Sequence, residues 1–310
     1  MYIMVWIIIG SILGFLLLVI FILSIIAYRL VFYSPIKGQN NDYNKVKNVN
    51  YNGISGKAND LVNKLLTLPC EDLYIKSYDG LQLHAYFYKS EGSNQYVVFF
   101  HGYRRTARRN FCGLTLDLLK ENVNVILVDM RAHGESEGHQ TTFGKKEQYD
   151  VVSWTNYALE RFGRDIKLTV SGVSLGAASV LMAADKLDEN VKIVADSPYY
   201  SIEDIFKKTI RYYKLSPAFF YPLAVFTALF FCHMNLKSNV PLAINKSKNK
   251  ILIIHSTSDT VVSYKLSEKI CLDNKDHMEL ALFDDVEHGF AYLRQTEKYR
   301  EIYIPFVSKK

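Results

Sequence analysis

The chain has 310 residues, 49% of them hydrophobic; that is enough for one large α/β domain or two small ones with a buried core, and it excludes disorder of the whole chain. Its formal net charge of +6 is set against 31 acidic residues, so the basic excess is mild and calls for no nucleic-acid partner; a face toward anionic lipid is the more natural use. The cysteines Cys70, Cys112, Cys232 and Cys271 form no Cys-x-x-Cys pair, which argues against a zinc site or a disulfide framework and for free thiols.

From Val5 to Ala27 there is no charged side chain and almost no polar one. Roughly 23 residues at about 1.5 Å each would extend about 34 Å, enough for the hydrocarbon core of a bilayer. Residues 1–33 are therefore read as a transmembrane anchor. A cleaved signal peptide fits less well, because "MYIMVW" lacks a basic start, the apolar run is too long and no Ala-x-Ala site follows. Arg29, Lys37, Lys45 and Lys47 all lie C-terminal to the run, so the positive-inside rule places the large domain in the cytoplasm. The Asn-, Gly- and Lys-rich stretch 34–57 reads as a polar linker.

Residues 58–310 then read as one α/β domain. A short helix is predicted over Ala58–Leu68, followed by a β-hairpin around Asp79-Gly80 in "DLYIKSYDGLQLHAYFYK". Short apolar strands are predicted at Tyr96–Phe100, Val123–Val128, Lys167–Ser171, Val191–Ala195, Ile251–His255 and Glu279–Phe283. Amphipathic stretches near Phe111–Lys120, Lys145–Arg161, Leu175–Leu187 and Ser263–Asn274 separate them, the pattern of a mostly parallel sheet covered by helices on both faces. The rhythm breaks over about 198–248, where "YYKLSPAFFYPLAVFTALFF" reads as an inserted helical cap with an aromatic lining. A second membrane helix is the rival reading, but the apolar run is shorter than a span requires.

One junction stands out. In "KLTVSGVSLGAASVLMAAD" a β-branched run gives way to Gly172-Val173-Ser174-Leu175-Gly176 and then to a small-residue, helix-favouring segment. The glycines permit a sharp strand-to-helix turn that lifts the Ser174 hydroxyl into the open at the carboxyl end of a parallel strand. A serine hydroxyl needs a base, and the base an orienting carboxylate. Both occur at later strand ends in the required order: Asp259 after "ILIIHSTSD" and His288 after "ELALFDDVEHGF". Asp196 and Asp285 are the rival acids. An oxyanion would be received by the backbone N–H groups of Tyr103, after the His101-Gly102 turn of "FFHGYRR", and of Leu175. Arg104, Arg105, Arg108 and Arg109 lie beside that turn; they read either as solvated helix-start charges or as holders of an acidic substrate or headgroup. Phe219 and Phe220 of the cap are further candidate substrate contacts. Asp129, Arg131, His133 and Ser136 read as a loop bracing the sheet edge.

Taken with "HGY" at 101–103, "VDMRAHGESEG" at 128–138, "DSPY" at 196–199, "HSTSD" at 255–259 and "EHG" at 287–289, the chain from Leu73 onward resembles the α/β-hydrolase superfamily. Within it the chain is similar to the membrane-anchored bacterial branch described as serine-aminopeptidase-like or lysophospholipase-like. The resemblance implies an eight-stranded sheet, a cap after the sixth strand, and Ser174, Asp259 and His288 as a catalytic triad. One departure is Ser256, where relatives often carry glycine; it bears on the loop before Asp259. The expected function is a membrane-tethered serine hydrolase acting through an acyl-enzyme on lipid or other small lipophilic esters, with no metal or organic cofactor. A peptidase or amidase with the same residues and a catalytically idle binding scaffold are the alternatives.

Overall fold

The computed structural model describes residues 2–34, 53–238 and 240–308. They form two compact units, one holding the N-terminal helix together with Ile202–Lys237 and the other holding the rest of the described chain. Most of the predicted linker lies outside the described residues.

The second unit is built on one eight-stranded sheet in the order β1-β2-β4-β3-β5-β6-β7-β8. The strands are β1 (Glu71–Lys76), β2 (Gln82–Tyr88), β3 (Gln95–Phe100), β4 (Asn124–Asp129), β5 (Lys167–Val173), β6 (Lys192–Asp196), β7 (Ile251–Ser256) and β8 (Met278–Phe283). Strand β2 runs antiparallel to β1 and β4, and every other pairing is parallel. The helices of this unit are α2 (Ser55–Leu66), α3 (Ala107–Lys120), α4 (Glu147–Phe162), α5 (Leu175–Ala183), α8 (Val240–Lys246), α9 (Lys265–Asp273), α10 (Ala291–Arg294) and α11 (Thr296–Ser308). Each predicted strand is present within two residues of its expected ends. The C-terminal helix α11, which the sequence reading passed over, buries Tyr299, Tyr303, Phe306 and Val307.

Continuous apolar strands need cover on both sides, and alternation divides them. Val97, Phe99, Val125 and Leu127 join Val62 and Leu65 of α2, Phe111, Leu114 and Leu118 of α3 and Tyr303 of α11 in one buried cluster. Val98, Phe100, Ile126 and Val128 alternate with them, are equally buried, and turn to the opposite face. There α5 packs on β3, β5 and β6 and against α4. Each fully buried side chain of this size contributes about 1.5–3 kcal/mol. The parallel register places the carboxyl ends of β3, β5, β6, β7 and β8 along one rim.

The other unit consists of α1 (Tyr2–Ala27), continuing as a π-helical turn over Tyr28–Phe32, with α6 (Ile202–Tyr212) and α7 (Pro217–Cys232). Helix α1 and its continuation are long and apolar enough to cross a membrane by length and composition. The break between β6 and β7 is therefore helical, as predicted, but of its helices α6 and α7 group with the N-terminal helix while α8 stays in the sheet unit. Phe21 meets Phe230 at 6.0 Å and Phe231 at 6.3 Å, Tyr28 stacks on Phe231 at 5.1 Å, and Phe32 stacks on Phe206 at 5.6 Å. Sequence distance concealed this pairing of segments some two hundred residues apart.

Candidate active site

Ser174 sits between the last residue of β5 and the first of α5 with φ 54° and ψ −109°, a conformation a side-chain-bearing residue adopts only under constraint. The constraint comes from packing on either side. A methyl group on Gly176 would lie 1.9 Å from the Phe100 carbonyl oxygen, and one on Gly172 would lie 2.3 Å from the Gly176 carbonyl carbon, so only glycine lets helix and strand approach this closely. The Ser174 N–H donates to the Asp196 carbonyl at 2.9 Å, tying the turn to β6. The hydroxyl projects from the amino end of α5, where the first backbone N–H groups have no partner inside the helix.

The structure brings Ser174, His288 and Asp259 into one hydrogen-bonded line. His288 Nε2 lies 2.8 Å from Ser174 Oγ, and His288 Nδ1 lies 2.6 Å from Asp259 Oδ2. Because the carboxylate can only accept, the proton is on Nδ1, which leaves Nε2 to accept from the serine hydroxyl. Asp259 Oδ1 takes the N–H groups of Val261 and Val262, each at 2.8 Å. Burial alone would raise the Asp259 carboxyl; the imidazoles of His255 and His288 and the Val262 N–H outweigh it and hold the group below the ordinary carboxylate range. The rival acids are placed elsewhere. Asp196 accepts from Ser197 Oγ at 2.8 Å and from the Tyr299 hydroxyl at 3.2 Å, and Asp285 is exposed in the loop before the histidine.

The turn after β3 lies against the serine. A methyl group on Gly102 would sit 3.7 Å from Ser174 Cβ. The Gly102 N–H donates to Asn110 Oδ1 at 2.9 Å and the Arg105 N–H to the Gly102 carbonyl at 3.2 Å, so α3 and the turn itself fix the backbone around Tyr103. Leu175 is buried at the first position of α5. Arg104 arches over the Tyr103 ring at 5.0 Å, and Arg105 is half-buried beside it. Arg108 and Arg109 fit neither reading given to them: Arg108 stacks 3.5 Å above the Tyr86 ring and donates to Tyr88 Oη and Cys70 Sγ, both at 3.1 Å, while Arg109 is buried. The aromatic residues of β2 create that socket, and nothing local to the arginines signals it. Phe219 and Phe220 lie on α7, in the unit of the N-terminal helix, with exposed rings.

His255 and Ser197 escaped the sequence reading of this centre, and the bonds made by Ser256, which it did name, come from the structure alone. His255, the fifth residue of β7, is fully buried with Nε2 3.3 Å from Asp259 Oδ2, at ion-pair distance but without hydrogen-bond geometry. Its Nδ1 meets Ser267 Oγ at 2.7 Å, and Ser267 also accepts from Tyr200 Oη at 3.0 Å. A histidine directly after four aliphatic strand residues, and four residues before the acid, was the available signal. Ser256 donates to the Val286 carbonyl at 2.5 Å and accepts from the Ser258 N–H at 3.1 Å, joining the loop that carries Asp259 to the one that carries His288. Ser197 makes a parallel link, accepting the Gly289 N–H at 3.2 Å.

The family described as "Serine aminopeptidase, S33" matches residues 92–240. Among solved structures, the Pyrococcus furiosus esterase Pf2001 aligns with a TM-score of 0.62 and 25% identity over 77% of this chain and 91% of that one. Est1E from Butyrivibrio proteoclasticus, solved with ferulic acid bound, shares the fold with a TM-score of 0.57 and 19% identity over 74% of this chain and 95% of its own. Among curated proteins, YqkD of Bacillus subtilis is 24% identical over 233 residues, covering 73% of this chain and 75% of its own.

Proposed function

From this chain's membership of the α/β-hydrolase superfamily, we propose that it is a membrane-tethered serine hydrolase that cleaves lipophilic carboxylic esters through an acyl-enzyme. The observation that carries the reading is the unbroken line from a strained, projecting Ser174 through His288 to a buried, ionised Asp259. Ser174 Oγ attacks the ester carbonyl as His288 Nε2 takes its proton. Asp259 holds the Nδ1 proton and stabilises the imidazolium. The N–H groups of Tyr103 and Leu175 receive the oxyanion, an interaction whose loss typically costs about 3 kcal/mol of barrier. His288 then returns the proton to the departing alkoxide, and a water repeats the sequence on the acyl-enzyme.

An ester is favoured over an amide by the likeness to an esterase structure at 25% identity across most of both chains. The tether is assigned to α1, with the catalytic unit on the cytoplasmic side where the flanking basic residues fall. Ser174→Ala is expected to abolish labelling by a fluorophosphonate probe and to lower ester turnover by about 10⁴-fold or more, with the circular dichroism spectrum unchanged. Undiminished turnover would sink the assignment. The family description favours a second reading, peptide-bond cleavage by the same residues. A matched ester and amide of one acyl group decides between them, since the proposal requires the larger kcat/KM for the ester.

A further inference from the structure

Helix α7 has no charged residue from Pro217 to Cys232 and is apolar on every side, the character of a helix enclosed by hydrocarbon or by protein. Yet only Thr227, Ala228 and Cys232 are buried, while Phe219 is 80% exposed, Phe226 41%, Leu229 51% and Phe230 54%. Within its unit α7 packs against α6 and against α1 with its π-helical continuation, meeting the rings of Phe21 and Tyr28, and α1 is itself unburied along its most apolar stretch. The Thr227 hydroxyl bonds the Leu223 carbonyl at 2.8 Å, as Ser24 of α1 does Ile20 at 2.8 Å. These polar groups are thus satisfied within their own helices, as hydrocarbon requires.

The flanks have the chemistry of a membrane interface. Lys208, Arg211 and Lys214 are exposed before α7, together with Tyr212 and Tyr213, and Lys237 is exposed after it. Basic groups attract anionic headgroups, and tyrosines settle at headgroup depth. At about 1.5 Å per residue the helix extends roughly 24 Å, short of the approximately 30 Å core, so it enters a bilayer without crossing it.

We infer that α7 is a second membrane-contacting element, seated in the hydrocarbon of one leaflet beside the end of α1, with Lys208, Arg211 and Lys214 against anionic lipid headgroups. This rests on the reading of α1 as an anchor and extends it: the α6–α7 portion of the insertion between β6 and β7 belongs to the membrane-bound part of the molecule.

The test uses the full chain in vesicles of phosphatidylcholine and phosphatidylglycerol doped with a phosphatidylcholine carrying a diazirine on its acyl chain. After photolysis, adducts are mapped by mass spectrometry. Adducts are expected on both α1 and α7, with those on α7 at Phe219, Phe226, Leu229 and Phe230. In the Phe219→Asp/Phe226→Asp variant the α7 adducts should fall by about tenfold or more, because a carboxylate is costly in hydrocarbon, while those on α1 stay unchanged. Adducts confined to α1 would overturn the inference and leave the anchor standing, with a protein surface covering α7 instead. Adducts on neither helix would overturn both readings.

Discussion

Two buried histidines shape the turn that faces Ser174. His101 donates from Nδ1 to the Gly102 carbonyl at 2.8 Å and accepts the Met130 N–H at Nε2 at 3.1 Å. His133 donates to the Arg131 carbonyl at 2.9 Å and accepts the Arg104 N–H at 3.1 Å. Each needs a neutral ring with its proton on Nδ1. Burial, reinforced by the neighbouring His133, depresses His101 from 6.5 to about 3, and burial likewise lowers His133. Below pH 6.5 the unfolded chain takes up a proton at position 101 that the folded chain refuses until about pH 3, so stability is full above 6.5 and falls as pH drops through that window. By linkage the loss at His101 reaches up to about 4–5 kcal/mol. Urea titrations between pH 7 and 4 should show it, and His101→Gln should flatten the dependence. Ser256 belongs to the same scale. Ser256→Ala breaks the link between the Asp259 and His288 loops and leaves the Val286 carbonyl unsatisfied, at an expected cost of about 1–3 kcal/mol, read as a lower denaturation midpoint together with reduced kcat.

At the scale of elements, the β5–α5 junction holds Ser174 in its conformation, and that junction depends on how closely the helix meets the strand. Gly176→Ala forces a methyl group into the Phe100 carbonyl, and the expected result is loss of soluble, cooperatively folding protein rather than an active enzyme of altered rate. The loop after β4 has a different support. Arg131 bonds Asp150 of α4 with two contacts of 2.6 Å and Asp79 of the β1–β2 turn at 3.0 and 3.1 Å. Burial opposes the arginine's charge, but these carboxylates outweigh it and keep the guanidinium protonated. The loop between Asp129 and Ser136 is thereby fixed to both the sheet edge and a helix, in keeping with its reading as a brace. Removing one partner of a buried pair typically costs about 3–5 kcal/mol. Arg131→Met should therefore lower the thermal midpoint markedly, and calorimetry of the variant beside wild type measures it.

At the scale of the whole molecule, two units of different solvent character share one chain. The unit of α1, α6 and α7 exposes apolar side chains over most of its length, whereas the sheet unit buries most of its large apolar residues in a covered core. A chain so divided should stay with the membrane pellet through alkaline carbonate extraction and be released by detergent. Recovery in the soluble fraction would remove the tether from the proposed function without touching the proposed roles of Ser174, His288 and Asp259. Fluorophosphonate labelling after detergent release should persist, because the hydrogen-bonded line lies wholly within the sheet unit.

The strands, the serine turn and the order of Ser174, Asp259 and His288 were legible in the amino-acid sequence because each has a local cause. Apolar runs of strand length, glycines at a forced turn and polar residues just beyond strand ends follow from backbone sterics and burial, which act between near neighbours. The socket of Arg108, the burial of Arg109, the second imidazole at Asp259, the Ser256 link and the attachment of α7 to α1 were decided only by tertiary structure. Those features depend on which distant segments become adjacent in space, and no property of either segment alone specifies its partner.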